Sequence, residues 1–197
     1  MIWLDTLLQG VLLGGLYALF AAGLSLVFGV MRLVNLAHGD LIILAAYLIL
    51  SVAAVLGVTP VVALLIAAPV MFAVGWLLQM QVFNRVLGDD ILPPLLVTFG
   101  LSVVIQNALL EGFTANSQKL SLGPIETQSL HLGSVTVGVI PMMTLASAVA
   151  VIFLLNQLFY RTSLGRAFRA TSDDVVTAQL MGIRPRRIFA MATGIAM

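Results

Sequence analysis

Long uncharged runs alternate with short polar clusters along this chain. Thr6 to Met31 carries no charge. A membrane-crossing helix needs about 20 consecutive apolar residues, so this run predicts one span with some excess. Leu41 to Asn84 is also uncharged and, at about 1.5 Å per residue, is far too long for a single crossing. Gly57-Val58-Thr59-Pro60 supplies a turn within it. The run therefore divides into helices over 41–56 and 61–83, the second expected to kink at Pro69. Residues 91–110 and 140–160 form two further apolar runs of span length. Between them, 111–138 is the longest polar region, and the alternation Ser134-Val-Thr-Val137 suggests a short hairpin. A last apolar run begins at Ile188 and reaches Met197 after ten residues, fewer than a crossing needs. The expected fold class is all-α: a polytopic transmembrane helical protein with five full spans and the start of a sixth, in a chain expected to be a fragment.

Composition agrees with this pattern. Hydrophobic residues make up 61% of the chain and charged residues 9%, against about a quarter charged in a soluble domain. Cysteine is absent, which excludes a disulfide framework and thiolate metal sites. A net charge of +1 gives no reason to expect nucleic acid as a partner. The opening Met-Ile-Trp-Leu-Asp lacks the basic region of a signal peptide, so the first run is expected to stay as a span. Arg85, Arg161, Arg166, Arg169, Arg184, Arg186 and Arg187 fall in loops on one side, and Lys119 stands alone on the other. Basic residues mark the cytoplasmic side. The loop 161–187 is therefore expected inside, the loop 111–138 outside in the periplasm, and the N-terminus outside.

Few polar residues interrupt the spans. Gly10, Gly14, Ala18 and Ala22 recur at every fourth position, which puts four small residues on one helix face where another helix can approach closely. Met31-Arg-Leu-Val-Asn-Leu-Ala-His-Gly-Asp40 gathers Arg32, Asn35, His38 and Asp40 between two apolar runs. Asn35 can cap a following helix and Gly39 permits a bend. An irregular polar break at membrane depth is tolerated only where protein or a water-filled path surrounds it, so Asn35, His38, Gly39 and Asp40 are candidates for a helix break beside such a path. Thr98 and Ser102 are four residues apart, with Gln106 continuing the row, and are candidates to line it. No carboxylate is expected between the ends of the spans.

Thr171-Ser-Asp-Asp-Val-Val-Thr-Ala-Gln-Leu-Met-Gly-Ile-Arg-Pro185 reads as one complete short helix over 172–181. Ser172 can cap its N-terminus, and Asp173 and Asp174 sit where the helix dipole favours acids. Gly182 suits the left-handed position after the last turn, and Pro185 follows to stop it. Val176, Leu180 and Ile183 fall on one face beside Met181. Such a helix either lies on the protein's own surface or docks into a groove on a partner.

The segments Gly15-Leu-Tyr-Ala-Leu-Phe-Ala-Ala-Gly-Leu-Ser-Leu-Val-Phe-Gly29, Val34-Asn-Leu-Ala-His-Gly-Asp40 and Ala45-Ala-Tyr47 resemble the start of the branched-chain amino acid ABC transporter permeases. Thr162-Ser-Leu-Gly-Arg-Ala-Phe-Arg-Ala170 and Ala178-Gln-Leu-Met-Gly-Ile183 resemble the same family's cytoplasmic loop. The resemblance runs through the whole chain in the expected order, and members of the family are usually longer. It implies a single permease domain, set among lipid in a bacterial inner membrane. The implied partners are a second homologous permease, two cytoplasmic ATP-binding subunits and a periplasmic substrate-binding protein. The helix from Ser172 to Met181, with Gly182 and Ile183 at its end, then matches the coupling helix that meets an ATPase subunit. The chain has no Gly-x4-Gly-Lys-Ser/Thr loop, so the expectation is a non-enzymatic subunit without cofactor, whose ATP is hydrolysed by its partners. Urea or short amides are the nearest alternative cargo. An ion-coupled secondary transporter is the alternative of another class.

Overall fold

The computed structural model describes residues 2–88, 90–114, 116, 118–119, 128–132 and 135–197. Among the described residues, five helices are long and apolar enough to cross a membrane. They are α1 (Ile2–Met31), α2 (His38–Leu56), α3 (Pro60–Leu78), α4 (Leu92–Phe113) and α5 (Val139–Arg161). Gly57 closes α2 with a left-handed φ of 61° and Pro60 opens α3 at its first position, so the hairpin falls where the turn residues place it. α3 passes through Pro69 without interruption. A π-helical turn over Gln79–Phe83 follows it, before a last turn, Asn84–Val86.

Before α5, β1 (Ser129–Leu132) and β2 (Val135–Gly138) pair antiparallel, Ser129 opposite Gly138. The alternation in the sequence lies in β2. Glu111, expected to begin the loop, belongs to the last turn of α4, and most of the remaining loop lies outside the described residues.

α5 is followed by three shorter helices: α6 (Ser163–Asp173), α7 (Val175–Leu180) and α8 (Pro185–Ala196). α8 starts at Pro185, three residues before the apolar run, because a proline at the first position lacks only an N–H the helix cannot use there. It packs against α1 and α3, while α1 also packs along α5, and α2 lies between α3 and α4. Backbones approach closely at three of these crossings, one of them α1 on α8, where a Cβ on Gly23 would lie 2.7 Å from the Ala196 carbonyl. A Cβ on Gly15 would lie 2.9 Å from the Leu145 backbone of α5, and one on Gly75 would lie 2.9 Å from the Thr193 carbonyl of α8.

The small-residue stripe does not make the closest of these contacts. Gly10 and Gly14 have nothing within 4 Å of an added Cβ, because α1 turns Leu12 and Gly15 inward at that level. Ala18 and Ala22, lower on the same stripe, are half-buried.

The main core sits at the end of the bundle that carries α6 and α7. Leu26, Val27, Val30 and Met31 of α1 meet Phe83, Phe168 of α6, and Phe189 and Ala192 of α8. Elsewhere the spans leave large apolar side chains such as Val55, Val61, Leu65 and Phe153 exposed. Surfaces of this kind are covered by lipid or other helices.

Candidate functional site

α1 ends at Met31, and Arg32 follows with a φ of 54°. This left-handed backbone, which glycine usually supplies at a helix end, turns the chain back. Residues 32–37 then rise along the bundle. Arg32 and Val34 share a cavity with Ile91, Pro94 and Leu95, at the start of α4. Asp40, in the first turn of α2, meets Ser102 instead. Ser102 lies ten residues beyond Leu92, about 15 Å along the α4 axis. The polar stretch therefore climbs from the end of the bundle to half the depth of α4, and α2 begins there.

This placement corrects two expectations. Asp40 is a carboxylate at mid-span depth, although it stands at the start of a helix in sequence. Gly39 does not bend the chain. It lies inside α2 in helical conformation, and the turn is made at Arg32.

Asp40 holds a compact network. Ser102 Oγ donates to Asp40 Oδ2 at 2.5 Å, and Gln106 Nε2 donates to Asp40 Oδ1 at 3.0 Å and to Ser102 Oγ at 3.2 Å. The spacing of Ser102 and Gln106 on α4 puts both on the face that meets α2. Asp40 is half-buried and Gln106 is exposed, so the network opens outward from the bundle. Thr98, on the same row, is fully buried and donates to the Leu95 carbonyl at 3.1 Å.

Asn35 and His38 face the other way. Asn35 Oδ1 accepts from the Ala37 amide at 3.1 Å, steadying the turn into α2, while its Nδ2 is buried without a partner. His38 is buried with its ring against α1 at Gly23, where a Cβ would come within 3.1 Å. Of the path candidates, Asp40 and Ser102 come together, with Gln106. Asn35, His38, Gly39 and Thr98 do not reach that network.

The second candidate element is the α6–α7 segment. The sequence pattern shows one helix from Ser172, but the structure breaks it at Asp174. There the backbone is extended, with φ −149° and ψ 110°. Ser172 and Asp173 end α6, and Ser172 Oγ donates to the Gly29 carbonyl of α1 at 2.7 Å instead of capping α7. Asp174 is the cap. Its Oδ1 accepts from the Val176 and Thr177 amides at 2.8 and 3.2 Å, and its Oδ2 accepts from Thr177 Oγ1 at 2.6 Å. The Thr177 hydroxyl first, and then the two amides, hold the Asp174 carboxyl below the usual carboxylate range.

The far end of α7 follows the sequence expectation. Gly182 has φ 82°. Its amide donates to the Gln179 carbonyl at 2.9 Å and the Ile183 amide to the Ala178 carbonyl at 3.0 Å, the paired bonds of a Schellman ending. Ala178 is buried, whereas Val176, Leu180 and Met181 are 66, 82 and 80% exposed. Ile183 is half-buried.

Two supports were not anticipated. α6 is a helix in its own right. Thr162 Oγ1 accepts from the Gly165 amide at 3.0 Å, Gly165 lets the chain pass against the last carbonyls of α5, and Arg169 donates to the Phe159 carbonyl under the Tyr160 ring. A polar chain also joins α3 to α8. Thr193 Oγ1 donates to Gln79 Oε1 at 2.7 Å, Gln79 Nε2 to Asn84 Oδ1 at 3.1 Å, and Asn84 Nδ2 to the Arg186 carbonyl at 3.3 Å. The amides Gln79, Gln81 and Asn84, close together at the end of an apolar run, were the available signal.

Comparison with known proteins identifies relatives. Residues 6–196 match the family described as branched-chain amino acid transport system / permease component. The high-affinity branched-chain amino acid transport system permease protein BraD of Pseudomonas aeruginosa is 26% identical over 96% of this chain. The permease proteins LivH of the same description from Salmonella typhimurium and Escherichia coli K12 are 28% and 27% identical over the same share. The chain spans 65% of the length of each of these relatives. No solved structure matches it.

Proposed function

Because the chain belongs to the family of branched-chain amino acid transport permeases, we propose that it forms part of the membrane channel of an ATP-driven importer for branched-chain or related hydrophobic amino acids. The observation that carries this reading furthest is the Asp40–Ser102–Gln106 network, placed at half the depth of α4 and open to the outside of the bundle. A carboxylate facing hydrocarbon is costly, and polar side chains at that depth face a bundle interior or a water-filled cavity. The α2–α4 face is therefore read as one wall of the translocation path, which a second, similar permease would complete.

Energy enters at the other element. α7 is too short to be stable alone, and it is fixed at both ends by the Asp174 cap and the Gly182 turn. It presents Val176, Leu180 and Met181 outward while Ala178 faces the protein. A fixed helix with an unburied apolar face suits a groove on a cytoplasmic ATP-hydrolysing subunit. In this reading the segment Ser172–Ile183 is the coupling element, and its end of the bundle faces the cytoplasm of a bacterial inner membrane. A periplasmic binding protein delivers cargo from the opposite side.

The test is co-isolation. Leu180→Asp and Val176→Asp place charge on the face that would enter the groove, where a buried, unpaired charge is costly. Membrane abundance is expected to stay normal while recovery of the ATP-hydrolysing subunits falls. Gln179→Ala, which leaves the apolar residues in place, is expected to be mild. Full recovery of those subunits with Leu180→Asp would leave α7 as an ordinary surface helix.

A further inference from the structure

Both carboxylate oxygens of Asp40 accept hydrogen bonds, and both donors, the Ser102 hydroxyl and the Gln106 amide, are neutral. The donors orient the carboxylate, and among the interactions of the described residues no cation is paired with it. Apolar side chains flank it along the same two helices. Phe99, Val103 and Leu110 stand seven and three residues before and four after Gln106, on its face of α4, and are 58, 42 and 55% exposed. Ile43 stands three residues after Asp40 and is 49% exposed.

We propose that the Asp40–Ser102–Gln106 network is a binding station for the ammonium group of a passing amino acid, with its apolar side chain against Ile43, Phe99, Val103 and Leu110. This rests on the permease reading and narrows it. A carboxylate with only neutral donors favours a cationic head over the uncharged urea or a short amide, and the apolar flank favours a hydrophobic tail. Asp40 is then a specificity-determining residue, which Ser102 and Gln106 position.

The chain contains no cysteine, so a single introduced thiol reports this station directly. Asn107→Cys, at an exposed position beside Gln106 that leaves the Asp40–Ser102–Gln106 network intact, is placed in the permease, assembled with its partners in membranes, and treated with two membrane-impermeant thiosulfonate reagents, one bearing an ammonium and one a sulfonate, each rate being taken relative to that reagent's rate with a free thiol. The ammonium reagent is expected to react at least about tenfold faster. Adding Asp40→Asn should abolish that preference, and saturating leucine should slow the reaction while urea should not. This readout needs no transport, so it stands or falls separately from the importer reading. Three results would overturn the station: no reaction with either reagent, equal rates with Asp40 intact, or protection by sodium ions in place of leucine. Should Asp40→Asn reduce membrane abundance, Asp40→Glu, which keeps the charge, must retain the reagent preference, and its loss there would count equally against the station.

Discussion

Asp174 shows how one side chain sets an element's boundary. Its carboxylate gathers the first free amides of α7, and these bonds lower its pKa. A carboxyl whose pKa falls on folding contributes stability that is complete above its ordinary value and is lost as pH falls through the lower, folded value. The cap is therefore expected to hold through neutral and mildly acid pH and to open only below the ordinary value of 3.8. Amide exchange at Val176 and Thr177 would show this as protection that is constant down to that point. Asp174→Ala should remove the protection at every pH. At the other end of α7, an added Cβ on Gly182 meets nothing within 4 Å, so substitution there acts through the backbone alone. Left-handed backbone costs an ordinary L-residue roughly 1–2 kcal/mol. Gly182→Val should expose the α7–α8 junction to limited proteolysis, and Gly182→Asn should do so much less. Gly182 was legible in the sequence because glycine before a proline marks a helix end. The cap was assigned to Ser172 because Ser172, Asp173 and Asp174 are all good caps, and only the tertiary bond from Ser172 to Gly29 decides among them.

The spans were legible because run length alone separates a crossing from a loop. α6 was not, since its polar residues suit a cytoplasmic loop equally well and its helix depends on docking against α5 and α1. The depth of Asp40 was also hidden. It depends on how far residues 32–37 climb, a distance fixed by packing against α1 and α4 rather than by local pattern. The contact between α3 and α8 supplies a test at this scale. Thr193 and Gln79 are both fully buried and bonded to each other. Thr193→Val preserves shape but leaves Gln79 Oε1 unpaired, at a cost of about 1–3 kcal/mol. The solubilised protein should lose thermal stability accordingly, whereas Thr193→Ser should stay close to wild type. Equal stability of the valine variant would mean that the π turn at Gln79–Phe83 is held by packing alone.

Across the whole molecule, α6 and α7 are expected to face the cytoplasm and the β1–β2 hairpin the periplasm. In single-cysteine variants, Lys119→Cys should react with an impermeant thiol reagent applied from the periplasmic side, and Arg166→Cys should not. The reverse pattern would invert the orientation read from the arginines. In the proposed function, that orientation puts Asp40 between a periplasmic delivery side and a cytoplasmic coupling element. In the proposed importer, ATP hydrolysed by a partner subunit docked on α7 moves an amino acid past α2 and α4. Uptake of labelled leucine into proteoliposomes holding the permease, its partner subunits and the binding protein measures this directly. Uptake is expected to need ATP on the α7 side, to be lost with Leu180→Asp, and to be indifferent to an imposed proton or sodium gradient. Uptake that proceeds without ATP and follows such a gradient would contradict this expectation.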